Sequence, residues 1–189
     1  TEEAVEDNLY DRIATRYTKA LARSMANTKQ IKAANVLNNG FNSAFTGGDG
    51  VELFSSAHVS LSSSTNRNEL STASDLSETS LEQALIDIAA FKDERGLKIA
   101  AVGTADNDIN AVKSMGMVPQ GYVVNNFLTD TDAFFIKTDV PNGLKHMVRA
   151  PIKTAMEGDF DTGNMRYKAR ERYSFGFSDW RGIFGSEGA

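Results

Sequence analysis

Cysteine is absent from this 189-residue chain, which carries only three prolines, two histidines and one tryptophan. The missing thiols exclude disulfides, thiolate zinc sites and cysteine nucleophiles, and they fit folding in a reducing cytoplasm. No apolar run nears the roughly 20 residues of a membrane-spanning helix, and the acidic start Thr1-Glu2-Glu3 is unlike a signal peptide. No methionine opens the chain, as expected of a processed or partial form. What remains is the composition of a folded, soluble protein of one large or two small domains, 41% hydrophobic and 24% charged. A net charge of −5 argues against a dedicated nucleic-acid binder but leaves room for a local basic face.

The most strongly patterned stretch is Met165 to Phe177. Met165, Tyr167, Ala169, Glu171, Tyr173, Phe175 and Phe177 fall on one parity, and Arg166, Lys168, Arg170, Arg172 and Ser174 on the other. Side chains alternate across a strand, so this pattern predicts one mostly apolar face and one basic face. At the usual rise per residue such a strand would run about 43 Å. That is too long for the interior of a small globule, and it predicts a flat or elongated subunit completed by copies of itself. Residues 2 to 34 contain no proline or glycine and read as one long helix. Glu2, Glu3, Glu6 and Asp7 crowd the end where the helix dipole favours acids, while Lys29 and Lys32 lie near the end where it favours cations. The apolar residues Val5, Leu9, Ile13, Tyr17, Leu21 and Met25 step by four, so their stripe winds around the helix and its two ends face different neighbours.

Further along, Gly47-Gly48-Asp49-Gly50 lacks the lysine and following helix of a phosphate cradle and reads as a plain turn. Val51 to Phe54 reads as a short strand, and Ser55 to Ser80 as a long polar surface loop suited to an assembly contact. Thr79 and Glu82 have capping-box spacing ahead of a helix marked by Leu81, Ala84, Leu85, Ile88 and Phe91, which Gly96 stops. Leu97 to Val102 reads as a buried strand and Asp106 to Met115 as a short helix. Tyr122 to Phe127 and Ala133 to Lys137 read as a hairpin, and Leu144 to Ile152 as a strand with Pro151 at an edge or bulge. Asp159 to Asn164 turns the chain into the long strand, after which Ser178 to Gly185 forms an aromatic, glycine-rich tail.

Little of this points to chemistry. His58 and His146 have neither a serine in a nucleophile-elbow setting nor a helical ligand partner, so no catalytic residue is assigned. Asp130 with Asp132, or Asp106 with Asp108, could offer oxygens to a hard cation, but aspartate at a turn usually bonds the backbone, and no metal or cofactor is called for. The basic face of Arg166, Lys168, Arg170 and Arg172 has three readings: a solvated strand face, a nucleic-acid surface, or an inter-subunit contact with the acidic helix start. Overall acidity and the lack of interleaved aromatics weaken the second. Trp180 reads as a core or interface anchor.

Four phrases carry a resemblance. They are Gly47-Gly48-Asp49-Gly50-Val51-Glu52-Leu53-Phe54-Ser55-Ser56-Ala57-His58, Asn126-Phe127-Leu128-Thr129-Asp130-Thr131-Asp132-Ala133-Phe134-Phe135, Asp159-Phe160-Asp161-Thr162-Gly163-Asn164 and the run from Glu171 to Gly182. Each is weak alone, but in this order, from about Asn35 onward, the chain resembles the major capsid proteins of tailed bacteriophages, especially the Mu-like major head subunit group. The resemblance implies the α+β tailed-phage major capsid fold, shared with herpesvirus shell floors and encapsulins. Residues 1–75 and 144–189 would form a peripheral domain with a long spine helix and a long-stranded sheet, and residues 76–143 an α/β axial domain. It also implies a structural protein, not an enzyme, that assembles in the host cytoplasm into pentamers and hexamers of an icosahedral virion head. Its partners would be itself, scaffold, portal and cement proteins, and packaged double-stranded DNA held without sequence specificity. Arg166, Lys168, Arg170, Arg172, Trp180, Asp130 and Asp132 are the expected contact residues.

The sequence departs from that family in lacking an N-terminal arm and an extended hairpin loop before the helix. The junction near Ala101-Val102 is also short, and no lysine and asparagine pair for self-ligation is identifiable. The alternatives are an encapsulin-like compartment shell, a small α/β enzyme built on His58, His146, Asp130 and Asp132, and a phage DNA-binding protein acting through the basic face.

Overall fold

A run of residues free of proline and glycine, Tyr10–Asn38, forms the single helix α1 of 29 residues. This computed structural model describes residues 10–61, 65–98, 120–159, 161 and 163–189. The helix continues past the expected end at residue 34, and Gly40 follows it closely. Up to Ala33, its sheltered positions with described side chains are Thr18, Leu21, Met25, Lys29 and Ala33, three or four residues apart as one helical face requires, and beyond them Ala34 is buried and Val36 to Asn38 are half-buried. Leu21 and Met25 belong to the expected stripe, whereas Tyr17 is largely exposed. Val5, Leu9, the Ile13 side chain and the acidic first turns lie outside the described residues. So do the expected Asp106–Met115 helix, the Asp106 and Asp108 pair, and the strand expected at Leu97–Val102 from residue 99 onward. Leu97 itself is exposed, and Lys98 makes only an isolated bridge to Lys92.

The fold is mixed α+β and packs as two compact units. One joins the helix up to Ala33 with His146–Phe175; the other comprises the described parts of Ala34–Lys145 and Gly176–Ala189. The first unit is dominated by two hydrogen-bonded strands, β4 (Leu144–Asp159) and β5 (Asn164–Phe177). β4 runs well past its expected end at Ile152, straight through Pro151. A two-stranded sheet has only edge strands, so a missing N–H can face outward without breaking the ladder. The link between the strands is far too short for a parallel crossover, so the pair is an antiparallel hairpin. Gly163 turns it with φ +62°.

In the second unit the supposed tail is the centre. Residues Trp180–Gly182 make one 3-10 turn and Ile183–Ser186 form β6, every residue of which is buried. β6 pairs antiparallel with β3 (Phe134–Lys137), aligning Ile136 with Phe184 and Phe135 with Gly185. The expected hairpin with Tyr122–Phe127 does not form, and Tyr122, Val123 and Val124 are exposed. One side of β3 and β6 presents Phe134, Ile136 and Phe184 to Leu70, Ala84, Ile88, Phe91 and Trp180. The other presents Phe135 and Ile183 to Leu53, Phe54, Leu37 and Phe41. Gly185 leaves the space in which Phe54 stacks on Phe135 at 5.2 Å, because a Cβ there would come within 3.0 Å of both rings.

The helix α2 (Glu78–Ala89) supplies Ala84, Leu85 and Ile88 to the core. Its capping box is the N-cap Ser77 with Ser80 in the first turn, rather than the expected Thr79 and Glu82: the two hydroxyls satisfy each other's backbone N–H at 2.8 and 3.1 Å. Gly96 stops no helix; with φ +86° it turns a loop in which Asp93 accepts from Arg95 and Leu97 N–H. Residues 51–54 are not a strand, although Leu53 and Phe54 are fully buried. The run from Ser55 to Ser80 is likewise no free surface loop. It carries the short ladder of β1 (His58–Val59) and β2 (Thr65–Asn66) and buries Ser55, His58, Ser60, Asn68 and Leu70.

Asn68 explains why such a polar stretch turns inward. Its Nδ2 donates to the carbonyls of Leu53, Trp180 and Ile183 at 2.7, 3.1 and 3.2 Å, and its Oδ1 accepts from Ser55 N–H at 3.0 Å. Its backbone carbonyl accepts from Gly185 N–H, and Glu69 bridges the same strand. Beside it Arg181 is buried but fully engaged. Its guanidinium donates to the Lys92 carbonyl at 2.8 Å, to Glu94 at 2.6 Å and to Asp179 at 3.3 Å, and it lies over the Trp180 ring. Leu61 N–H and Arg181 both hold Glu94 below its usual carboxylate pKa, the backbone donor contributing more.

Asn68→Ala should destabilise the unassembled subunit by about 3–4 kcal/mol in urea unfolding, because it strands several buried backbone groups at once. A loss within experimental error would show that those groups find other partners. Glu94 is favoured ionised in the fold, so its contribution is present above its unfolded pKa and disappears as pH falls through the lower folded value. The stability gap between wild type and Glu94→Gln should therefore be open at about pH 7 and close below about pH 4. An equal gap at both pH values would contradict this assignment.

Candidate functional site

The hairpin is where sequence pattern and exposure meet. Along β5, Ala169, Glu171, Tyr173 and Phe175 are sheltered while Lys168, Arg170, Arg172 and Ser174 are exposed, as strand alternation requires. Two contacts fix which residues of β4 share each face. His146 stacks on Phe175 at 4.6 Å and meets Tyr173 edge-on, so even-numbered β4 residues lie with odd-numbered β5 residues. At the opposite end Arg166 pairs with Asp159, which gives the same parity for the other face. Agreement at both ends means that the alternation is kept through Pro151.

One face therefore gathers His146, Val148, Ile152 and Met156 with Met165, Tyr167, Tyr173 and Phe175. The other gathers Arg149 and Lys153 with Arg166, Lys168, Arg170 and Arg172. Glu171 is the one acid on the apolar side, and it has a reason: Lys29 of α1 reaches it at 2.8 Å and sits 5.0 Å above the Tyr173 ring. Towards the turn, the same face is open. Val148, Ile152, Met156 and Met165 are 56%, 54%, 63% and 66% exposed. A row of half-exposed aliphatic and thioether side chains on a two-stranded ribbon is a surface for contact. Arg149 and Lys153 escaped the sequence reading, although their four-residue spacing places them on one strand face.

The remaining predicted residues have local roles. Asp130 accepts from Asp132 N–H at 2.9 Å and from Ala133 N–H at 3.3 Å, so it shapes a turn. Asn38, the last residue of α1, clasps this loop by donating to the Phe127 carbonyl and accepting from Thr129 N–H. The loop lines a shallow, open depression with Leu37, Phe41 and Phe135. Trp180 is only 6% exposed and belongs to the core of its own unit, with His58 stacked on it at 4.4 Å. His58 is fully buried with Nδ1 2.5 Å from Asp49 Oδ2, so it cannot meet a substrate. Among the described residues no cluster of His, Asp and Glu is arranged to hold a metal ion, and no helix is long and apolar enough to cross a membrane.

A family model described as phage capsid protein matches residues 1–185. Searches of the curated proteins and of the solved structures returned no match.

Proposed function

Because this chain belongs to the phage capsid protein family, we propose that it is the major head subunit of a Mu-like tailed phage, assembling as pentamers and hexamers into an icosahedral shell around double-stranded DNA. The observation that carries the proposal is the family match across nearly the whole chain. That family is structural rather than enzymatic and its members belong to the virion. The division into a peripheral domain, residues 1–75 and 144–189, and an axial domain, residues 76–143, is part of the same proposal, as are scaffold, portal and cement partners.

The open apolar face of the hairpin supplies the surface that self-association needs. Val148, Ile152, Met156 and Met165 are better covered than left in water, at about 25 cal/mol per Å² of apolar area removed. A neighbouring copy is the occupant that a shell provides. Contacts of this size are weak singly, and closing a ring of identical copies makes them strong together. The loop at Asp130 and Asp132 is a second proposed contact, exposed and held in one conformation by Asn38. Trp180 is withdrawn from the contact set, since its surface is already spent within the core.

The double variant Ile152→Asp with Met156→Asp should fold normally, its unfolding free energy changing by less than about 1 kcal/mol because both positions are exposed. Light scattering and negative-stain microscopy should show particle formation reduced at least tenfold on the same protein. Particles forming at the wild-type rate would contradict the assignment of this face to subunit contact.

A further inference from the structure

The cations of the hairpin are not spread over it. Within His146–Phe175, six Lys and Arg residues stand against the four acids Glu157, Asp159, Asp161 and Glu171, a net charge of +2. With −5 for the whole chain, the rest carries −7. All six cations share one face, and all are exposed. Of the acids, Glu171 is on the opposite face under Lys29 and Asp161 lies in the turn, while Glu157 and Asp159 share the basic face near its turn end, where Asp159 meets Arg166. What remains is a strip formed by Arg149 and Lys153 on β4 and Lys168, Arg170 and Arg172 on β5.

We propose that this strip binds the phosphate backbone of double-stranded DNA without sequence preference, and is the side of the subunit turned towards the packaged genome. The β5 cations recur every second residue, about 6.7 Å apart. That is close to two steps of a DNA strand at about 3.4 Å each, so successive cations can meet alternate phosphates. The face carries no aromatic side chain. Aromatic platforms are what single-stranded nucleic acid requires, whereas duplex phosphates require only cations. A protein partner is the poorer fit, since interface centres are rich in aromatic anchors and poor in charge. The acidity of the chain is no objection, because the negative charge belongs to the rest of the sequence. The setting of the proposal, a shell around DNA, rests on the function proposed above, but binding itself does not.

The test uses the full-length protein and a fluorescently labelled mixed-sequence duplex of about 30 bp, with anisotropy followed from 50 to 200 mM salt. Five phosphate contacts predict a slope of log affinity against log salt near −4.5, a fall of about five-hundredfold across that range. Lys168→Gln, Arg170→Gln and Arg172→Gln together should reduce the slope by about 2.7, and Arg149→Gln with Lys153→Gln by about 1.8. Arg95→Gln with Lys98→Gln removes two exposed charges outside the hairpin and should leave the slope unchanged. Equal slopes for wild type and both hairpin variants, or an equal loss in the control, would overturn the proposal.

Particle formation, scored in parallel, separates this idea from the shell reading. Hairpin variants that assemble but lose DNA binding support both, and salt-dependent binding by a protein that never forms particles supports only the DNA face. Hairpin variants that stop assembling while binding DNA as well as wild type would identify the strip as a contact between copies and overturn it.

Discussion

The interior of this protein depends on one buried carboxamide. A four-residue strand, Ile183–Ser186, runs through the middle of the second unit with aromatic side chains on both sides. A strand so short and so fully buried must have every peptide group paired, because a lost pairing costs about 1–3 kcal/mol each. β3 satisfies one edge. Asn68 serves the other, joining residues 53, 55, 180, 183 and 185 through its side chain and backbone. Close backbone approach at Gly143 and Gly182, where a Cβ on either would strike the other, and the contact of Ser186 with Ser74 complete the seal.

The hairpin is built on the opposite plan. It has two faces and no interior of its own, and a two-stranded ribbon in water is marginal when isolated. Lys29 and the half-sheltered Tyr173 and Phe175 anchor its base, while its apolar face towards the turn and its basic strip stay open. A surface divided this cleanly suits a subunit that meets two different environments, other copies of itself on one side and a polyanion on the other. In such a system many weak contacts between copies replace one large core.

The strongest periodicities were legible in the sequence. The parity of Met165–Phe177 and the long proline-free helix follow from local rules that nothing later in folding overrides. Beyond that, tertiary contacts decided. Pro151 concealed the second half of β4, and with it Lys153 and Met156, because proline ends a strand except at an edge. Tyr122–Phe127 has strand-forming residues but no partner strand among the described residues, while the glycine-rich run after Ser178 has a partner on each edge and becomes the core. Asn68 stands in a stretch of serines and threonines, and only the fold shows that three carbonyls converge on it. The contact candidates divided for the same reason: the arginines are open on a face that local alternation dictates, and Trp180 is enclosed by residues remote in sequence.

The most direct measurement is cryo-electron microscopy of the full-length protein, purified alone and with its scaffold, at a resolution that places the hairpin. The account predicts closed shells of uniform size in which Ile152 and Met156 are covered by a neighbouring copy and Arg170 and Arg172 line the lumen. A monodisperse monomer or dimer under every condition, or shells with Arg170 and Arg172 on the outer surface, would contradict it.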